Sequence, residues 1–104
     1  TLLKMMTDFI DQNINRNISL QELADEMHLS YSYMGRYFRS HMDMGFVEYV
    51  QLRKITLAQD LLLNTQMNLS EIAEKTGFTT VNSFFRTFKK IAGITPTQYR
   101  NQNR

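Results

Sequence analysis

Two arginines, Arg36 and Arg86, stand 50 residues apart in phrases the chain states twice, Arg36-Tyr37-Phe38-Arg39 and Arg86-Thr87-Phe88-Lys89. Four residues before each lies a small hydrogen-bonding side chain, Ser32 in one phrase and Asn82 in the other. A guanidinium is a planar fork of N–H donors that fits two acceptors on a flat edge, and a carboxamide offers one donor beside one acceptor. This is the chemistry of recognition, not of bond making. Catalysis would need a nucleophile motif, a glycine-rich phosphate loop or clustered carboxylates, and the chain has none, so no enzyme is expected. The absence of cysteine excludes disulfides, thiolate zinc sites and thiol catalysis. His28 and His41 have no carboxylate or thiol partner at ligand spacing, so neither a metal nor a cofactor is expected.

The chain has 104 residues, one domain's worth, and a net charge of +2. That balance is too mild to name a partner, but its distribution is not even. Residues 1–30 sum to −3, residues 31–63 to +1 and residues 64–104 to +4, with no acid after Glu74. An acidic beginning and a basic end fit a domain with one face turned to a polyanion. No apolar run approaches the ~20 residues of a membrane span, and no signal peptide heads the chain, so a cytoplasmic setting without membrane contact is expected. The first residue is Thr1, which suggests a piece of a longer protein.

The elements that must position these side chains are also written twice. Ser19-Leu20-Gln21-Glu22-Leu23-Ala24 matches Asn68-Leu69-Ser70-Glu71-Ile72-Ala73 at a spacing of 49. Each phrase opens with an N-cap and carries Glu three residues on, a regular capping box at Ser19 and a close variant at Asn68. Short helices are predicted over about 20–27 and 69–76. Turns follow at His28-Leu29 and Gly77-Phe78, and Ser30 and Thr79 or Thr80 cap second helices over about 31–42 and 81–91. Met34, Tyr37, Phe38 and Met42 stripe the first of these, and Phe84, Phe88 and Ile91 the other. Two helices joined by a tight turn, the second with a polar outer face, make a helix-turn-helix. Between the copies a linking helix is predicted over 46–63, with Gly45 as N-cap and enough apolar residues to be gripped from two sides. Its length of ~27 Å, at ~1.5 Å per residue, suits a rod holding two heads one turn of duplex apart. Helices over about 2–14 and from Pro96 complete an all-α fold of seven. The first subdomain is expected over 1–44 and the second over 64–104.

In a helix-turn-helix, outward side chains in the first turns of the second helix meet base edges. Those are Ser32, Gly35 and Arg36 in the first unit and Val81, Asn82, Ser83 and Arg86 in the second. Arginine forks onto guanine O6 and N7, asparagine grips adenine, and valine packs on a thymine methyl. Arg39, Lys89 and Lys90, one turn further, are placed for phosphate. Helix starts at Ser19, Ser30, Asn68, Thr79 and Thr80 offer backbone N–H groups to the same anions. Arg53 faces either a phosphate or an internal carboxylate, and Arg100 either a phosphate or a structural partner. Phe85, opposite Gly35 in the repeat, is expected to be exposed. Tyr31 and Tyr33 either reach the backbone of the duplex or pack, and the methionines read as core filler.

Leu52-Arg53-Lys54-Ile55 with Ala58, then Glu71-Ile72-Ala73, Gly77-Phe78, Phe84, Phe88-Lys89-Lys90 and Gly93-Ile94-Thr95-Pro96-Thr97-Gln98-Tyr99-Arg100 resemble the DNA-binding domain of AraC/XylS-type transcription regulators. The resemblance covers about residues 3–100. It implies a bacterial regulator, an activator more readily than a repressor, that binds double-stranded DNA through two helix-turn-helix units. It also implies that the positions matching Ser32, Arg36, Asn82 and Arg86 contact bases. A regulatory domain, usually N-terminal and absent here, is implied as well, with RNA polymerase as a further candidate partner. Three departures fall in the first unit. His28 replaces a turn glycine, Asp43 replaces the glycine after the second helix, and Gly35 lies inside that helix. The rival reading is an all-α protein-interaction module that ignores DNA.

Overall fold

Each helix but one begins where the sequence supplies a side-chain oxygen to cap it. In the computed structural model, which describes residues 1–103, Thr1, Ser19, Ser30, Asn68, Thr80 and Thr95 each accept a hydrogen bond from the backbone N–H three residues on. The helices are α1 (Leu2–Gln12), α2 (Leu20–Glu26), α3 (Tyr31–Met42), α4 (Phe46–Asn64), α5 (Leu69–Lys75), α6 (Val81–Ala92) and α7 (Pro96–Gln102). No strand occurs among the described residues. The expected all-α fold of seven helices is therefore the observed one. The exception at the caps is α4, whose N-cap Gly45 has no side chain to offer.

The reciprocal capping boxes close at Asn68–Glu71 and at Thr95–Gln98. At Ser19 only half of the expected box forms. Glu22 turns instead to Arg16, whose Nη2 donates to Oε2 at 2.6 Å and Nη1 to Oε1 at 3.1 Å. A two-pronged charged partner outcompetes a single backbone N–H.

The two turns are built alike. In the first, the N–H of Leu29 reaches the carbonyl of Ala24 at 2.9 Å, and in the second Phe78 reaches Ala73 at 2.9 Å. Both close the preceding helix through a residue in the left-handed region, as a Schellman stop requires. That residue is Gly77 in the second unit (φ +77°) but His28 in the first (φ +58°). The ends of α3 and α6 repeat the contrast, with Asp43 at φ +58° opposite Gly93 at φ +87°. Two departures from the family pattern thus stand where the backbone favours glycine.

Two apolar cores result, and α4 serves both. Met6, Ile10, Leu23, Ala24, Met34 and Phe38 bury themselves with Phe46 and Val50 from its first half. Ile72, Ala73, Phe84 and Phe88 do so with Ile55, Ala58 and Leu62 from its second half. The aromatic pairing is duplicated too. Phe38 meets Tyr49 edge-on with ring centroids 5.4 Å apart, and Phe88 meets Tyr99 edge-on at 5.6 Å. Removing either phenylalanine ring from its fully buried place would cost about 3–5 kcal/mol.

Along α4 the buried row Phe46, Val50, Lys54, Ala58, Leu62 advances four residues at a time. At 3.6 residues per turn such a row winds about 160° around the axis from end to end. The helix therefore shows one core its first half and the other core nearly its opposite side. This is the two-sided grip expected of it, although Val47 and Leu52, apolar as they are, face solvent. The long axis of the molecule is 43 Å against 23 and 22 Å across.

Candidate nucleic-acid interface

The second helix of each unit, α3 or α6, is held by its inner aromatic stripe, which leaves its outer face free. Ser32 and Arg36 on α3 are exposed, as are Asn82 and Arg86 on α6, while Val81 and Ser83 are half-buried. Arg36, Arg39, Arg86, Lys89 and Lys90 have neither a hydrogen bond nor an ion pair with any described residue. Five exposed cations without internal partners, all on these two helices, can neutralise an anion without breaking anything first.

The two faces adjoin one surface. Val47, two-thirds exposed near the start of α4, borders one depression with Tyr31 and Arg39 and another with Ser83 and Thr87 of α6. Arg39 also lines the floor beside Ser32, Gly35 and Arg36. Tyr31 and Tyr33 are exposed in this region, and Tyr33 stacks on Tyr37, which stacks in turn on His41 with centroids 3.9 Å apart.

Several of the expected residues also make contacts within the domain. Gly35 is half-buried, lines the same depression as Ser32 and Arg36, and a Cβ built on it would sit 3.4 Å from Leu20 of α2. Phe85, its counterpart, is correspondingly not exposed. It packs on the second core, its ring edge-on to Phe84 at 6.0 Å. Thr80, not Thr79, caps α6, and the side-chain oxygens of Ser19, Ser30 and Asn68 already accept from their own helices.

Arg53 and Arg100, each open between phosphate and an internal partner, have partners inside the domain. Arg53 Nε donates to Asp11 Oδ1 at 3.1 Å, tying α4 to α1. Arg100 Nε donates to the carbonyl of Leu62 at 3.0 Å and Nη2 to that of Thr65 at 3.3 Å. A cation there satisfies carbonyls left open at the end of α4 and suits the negative end of its dipole.

Lys54, which the sequence places in the family motif but to which it assigns no firm role, is central. Lys54 is 5% exposed, in the middle of the buried α4 row. Its Nζ donates to the carbonyls of Ile14 at 2.7 Å, Arg16 at 3.0 Å and Thr76 at 3.0 Å, and stands 5.9 Å from the centre of the Phe78 ring. Burial lowers its pKa to about 8. The four-residue row that contains it was the available signal.

A family model described as a helix-turn-helix domain matches residues 23–102. YtdP of Bacillus subtilis, an uncharacterised HTH-type transcriptional regulator, is 35% identical over 95 residues, which is 91% of this chain and 12% of that protein. The C-terminal domain of the two-component response regulator yesN from Fusobacterium nucleatum is 33% identical, with a TM-score of 0.88 over 93% of this chain and 95% of that one. The C-terminal domain of AraT, a response regulator from Geobacillus stearothermophilus, is 26% identical, with a TM-score of 0.93 over 97% of this chain and 84% of that one. The chain spans less than half the length of the curated relatives it matches.

Proposed function

The chain belongs to the AraC/XylS-type helix-turn-helix family of DNA-binding domains, and from that premise we propose that it grips one duplex with both units, α3 and α6 entering successive major grooves on the same side. Such grooves recur every ~34 Å along B-DNA, a span within reach of a molecule 43 Å long. In this reading Ser32, Arg36, Asn82 and Arg86 read base edges, with Val81 and Ser83 beside them and Gly35 giving room at the first groove. A well-placed two-pronged contact of this kind discriminates between bases by ~1–3 kcal/mol. Arg39, Lys89 and Lys90 bind phosphate, helped by backbone N–H groups at Ser19, Ser30, Asn68, Thr79 and Thr80. Arg53 and Arg100 hold the scaffold that presents them.

The observation that carries the reading is the pair of exposed, unpartnered guanidiniums, Arg36 and Arg86, at equivalent places in the two repeats. Matched free cations on two equivalent helices suit the regularly spaced charges of a duplex, which supports this reading over a protein-interaction module. Around this domain we place a longer bacterial transcription regulator working in the cytoplasm. Its regulatory domain lies N-terminal, as the C-terminal position of the similar response-regulator domains suggests. Activation through contact with RNA polymerase is its proposed output.

Selection of bound duplexes from a random pool tests the proposal. The expected product is a non-palindromic motif spanning about two helical turns, because the two reading surfaces differ. A pool that shows no enrichment would overturn it.

A further inference from the structure

Hydrophobic contact is non-directional, and α4 meets each unit through a core of its own. Apolar packing alone would hold both units on the helix while leaving each some freedom to turn about it. What lies between the cores is a set of directed bonds. Lys54 has three N–H donors, and all three are used. Two go to the carbonyls of Ile14 and Arg16, in the segment between α1 and α2. The third goes to Thr76, the C-cap of α5. The partners are 40, 38 and 22 residues away in the chain, so one ammonium joins the first unit, the linking helix and the second unit at a point.

The backbones close on the same point. A Cβ at Gly77 would collide with Lys54 Nζ, and would lie 2.7 Å from the Ile14 oxygen and 2.9 Å from the Arg16 nitrogen. The turn of the second unit is thus seated directly against the first unit, in a space only glycine leaves. Gly77 also begins the turn that leads into α6, so the place of this junction sets where α6 points.

We infer that Lys54 is a positioning residue: by bonding Ile14, Arg16 and Thr76 at once it fixes the angle and separation at which α3 and α6 are presented, and so the spacing of half-sites the domain accepts. The spacing part rests on the two-groove reading proposed above, whereas the fixing of the two units does not.

The chain lacks cysteine, so spin labels on Glu26→Cys and Lys75→Cys report one distance between the units. These are equivalent exposed residues at the ends of α2 and α5. The native background should give a single narrow distance. Lys54→Met, similar in length but without donors, should at least double the width of the distribution while thermal unfolding stays cooperative. Lys54→Gln, which keeps two donors on a shorter arm, should fall between them and serves as the test should the methionine variant not fold. On a duplex from the selection, inserting base pairs between half-sites should weaken native binding at least tenfold and Lys54→Met binding less than threefold. Isolated half-sites should bind both proteins alike. A folded variant with the native distance distribution and the native spacing profile would overturn the inference. Should the native chain bind no duplex, the two-groove reading fails, and the label distances alone decide the role of Lys54.

Discussion

Lys54 Nζ lies 3.0 Å from the carbonyl oxygen of Thr76, so the middle of the linking helix is bonded to the last residue before the second unit's turn. The same nitrogen holds Ile14 and Arg16 of the first unit. A charge so placed opposes two effects. Its hydrogen bonds satisfy carbonyls that would otherwise be buried unpaired, while its removal from water costs free energy.

The balance is readable as a pH dependence. Burial lowers the folded-state pKa to about 8 from the ordinary 10.5. Below about 8 both states carry the proton, and the folded state bears the cost of burying the charge. Between about 8 and 10.5 the unfolded chain holds more protons, so the Lys54 contribution to stability rises with pH. In urea unfolding, native protein should gain on Lys54→Met across that window, with a slope of at most ~1.4 kcal/mol per pH unit. Lost ground would mean that the three carbonyls outweigh burial and raise the pKa.

Positive φ makes a second test. His28 holds a left-handed conformation that costs a side-chain-bearing residue about 1–2 kcal/mol, so His28→Gly should stabilise by up to about 1 kcal/mol once the added freedom of the unfolded chain is offset. Asp43→Gly should gain less, because aspartate tolerates this region better. Gly77→Ala should instead lose about 2 kcal/mol or more, since strain is joined by displacement of a buried ammonium. Equal effects at His28 and Gly77 in urea unfolding would contradict this account of the turns.

Base reading separates from general affinity by substitution. Arg86→Ala should cost ~1–3 kcal/mol on the selected site and relax preference at one base pair. Arg36→Ala should do the same in the other half. Binding measured against a panel of single-base variants decides. A loss shared equally by all of them would move these arginines to the phosphate.

Two further cations should part company. Lys89→Ala should weaken binding to every sequence and flatten the log–log salt slope by about one unit. Arg100→Ala should leave that slope unchanged and lower stability by about 1.5–3 kcal/mol, the worth of charge-assisted bonds to the end of α4. Salt titrations and urea unfolding of the two variants show which cation touches the duplex.

What the sequence made legible was local. Caps, apolar spacing and the repeat place all seven helices, with ends within about two residues, and the family resemblance marks His28 and Asp43 as departures where glycine is usual. What it hid was tertiary. The role of Lys54 is one such feature: its place in the row Phe46, Val50, Ala58, Leu62 signals burial, but its three carbonyl partners come from distant segments. Phe85 is expected outside from its place opposite Gly35, yet it is half-buried against the second core. The half-made box at Ser19 depended on Arg16 arriving from the preceding loop, and the bonds of Arg100 on where α4 ends. Such partners are set by packing.

The central claim is that two matched helices engage one side of one duplex together. Hydroxyl-radical footprinting on the selected duplex tests it most directly. Two protected patches, about 10 base pairs apart and on the same face, are the predicted result. Protection confined to a single turn, or patches on opposite faces, would contradict it.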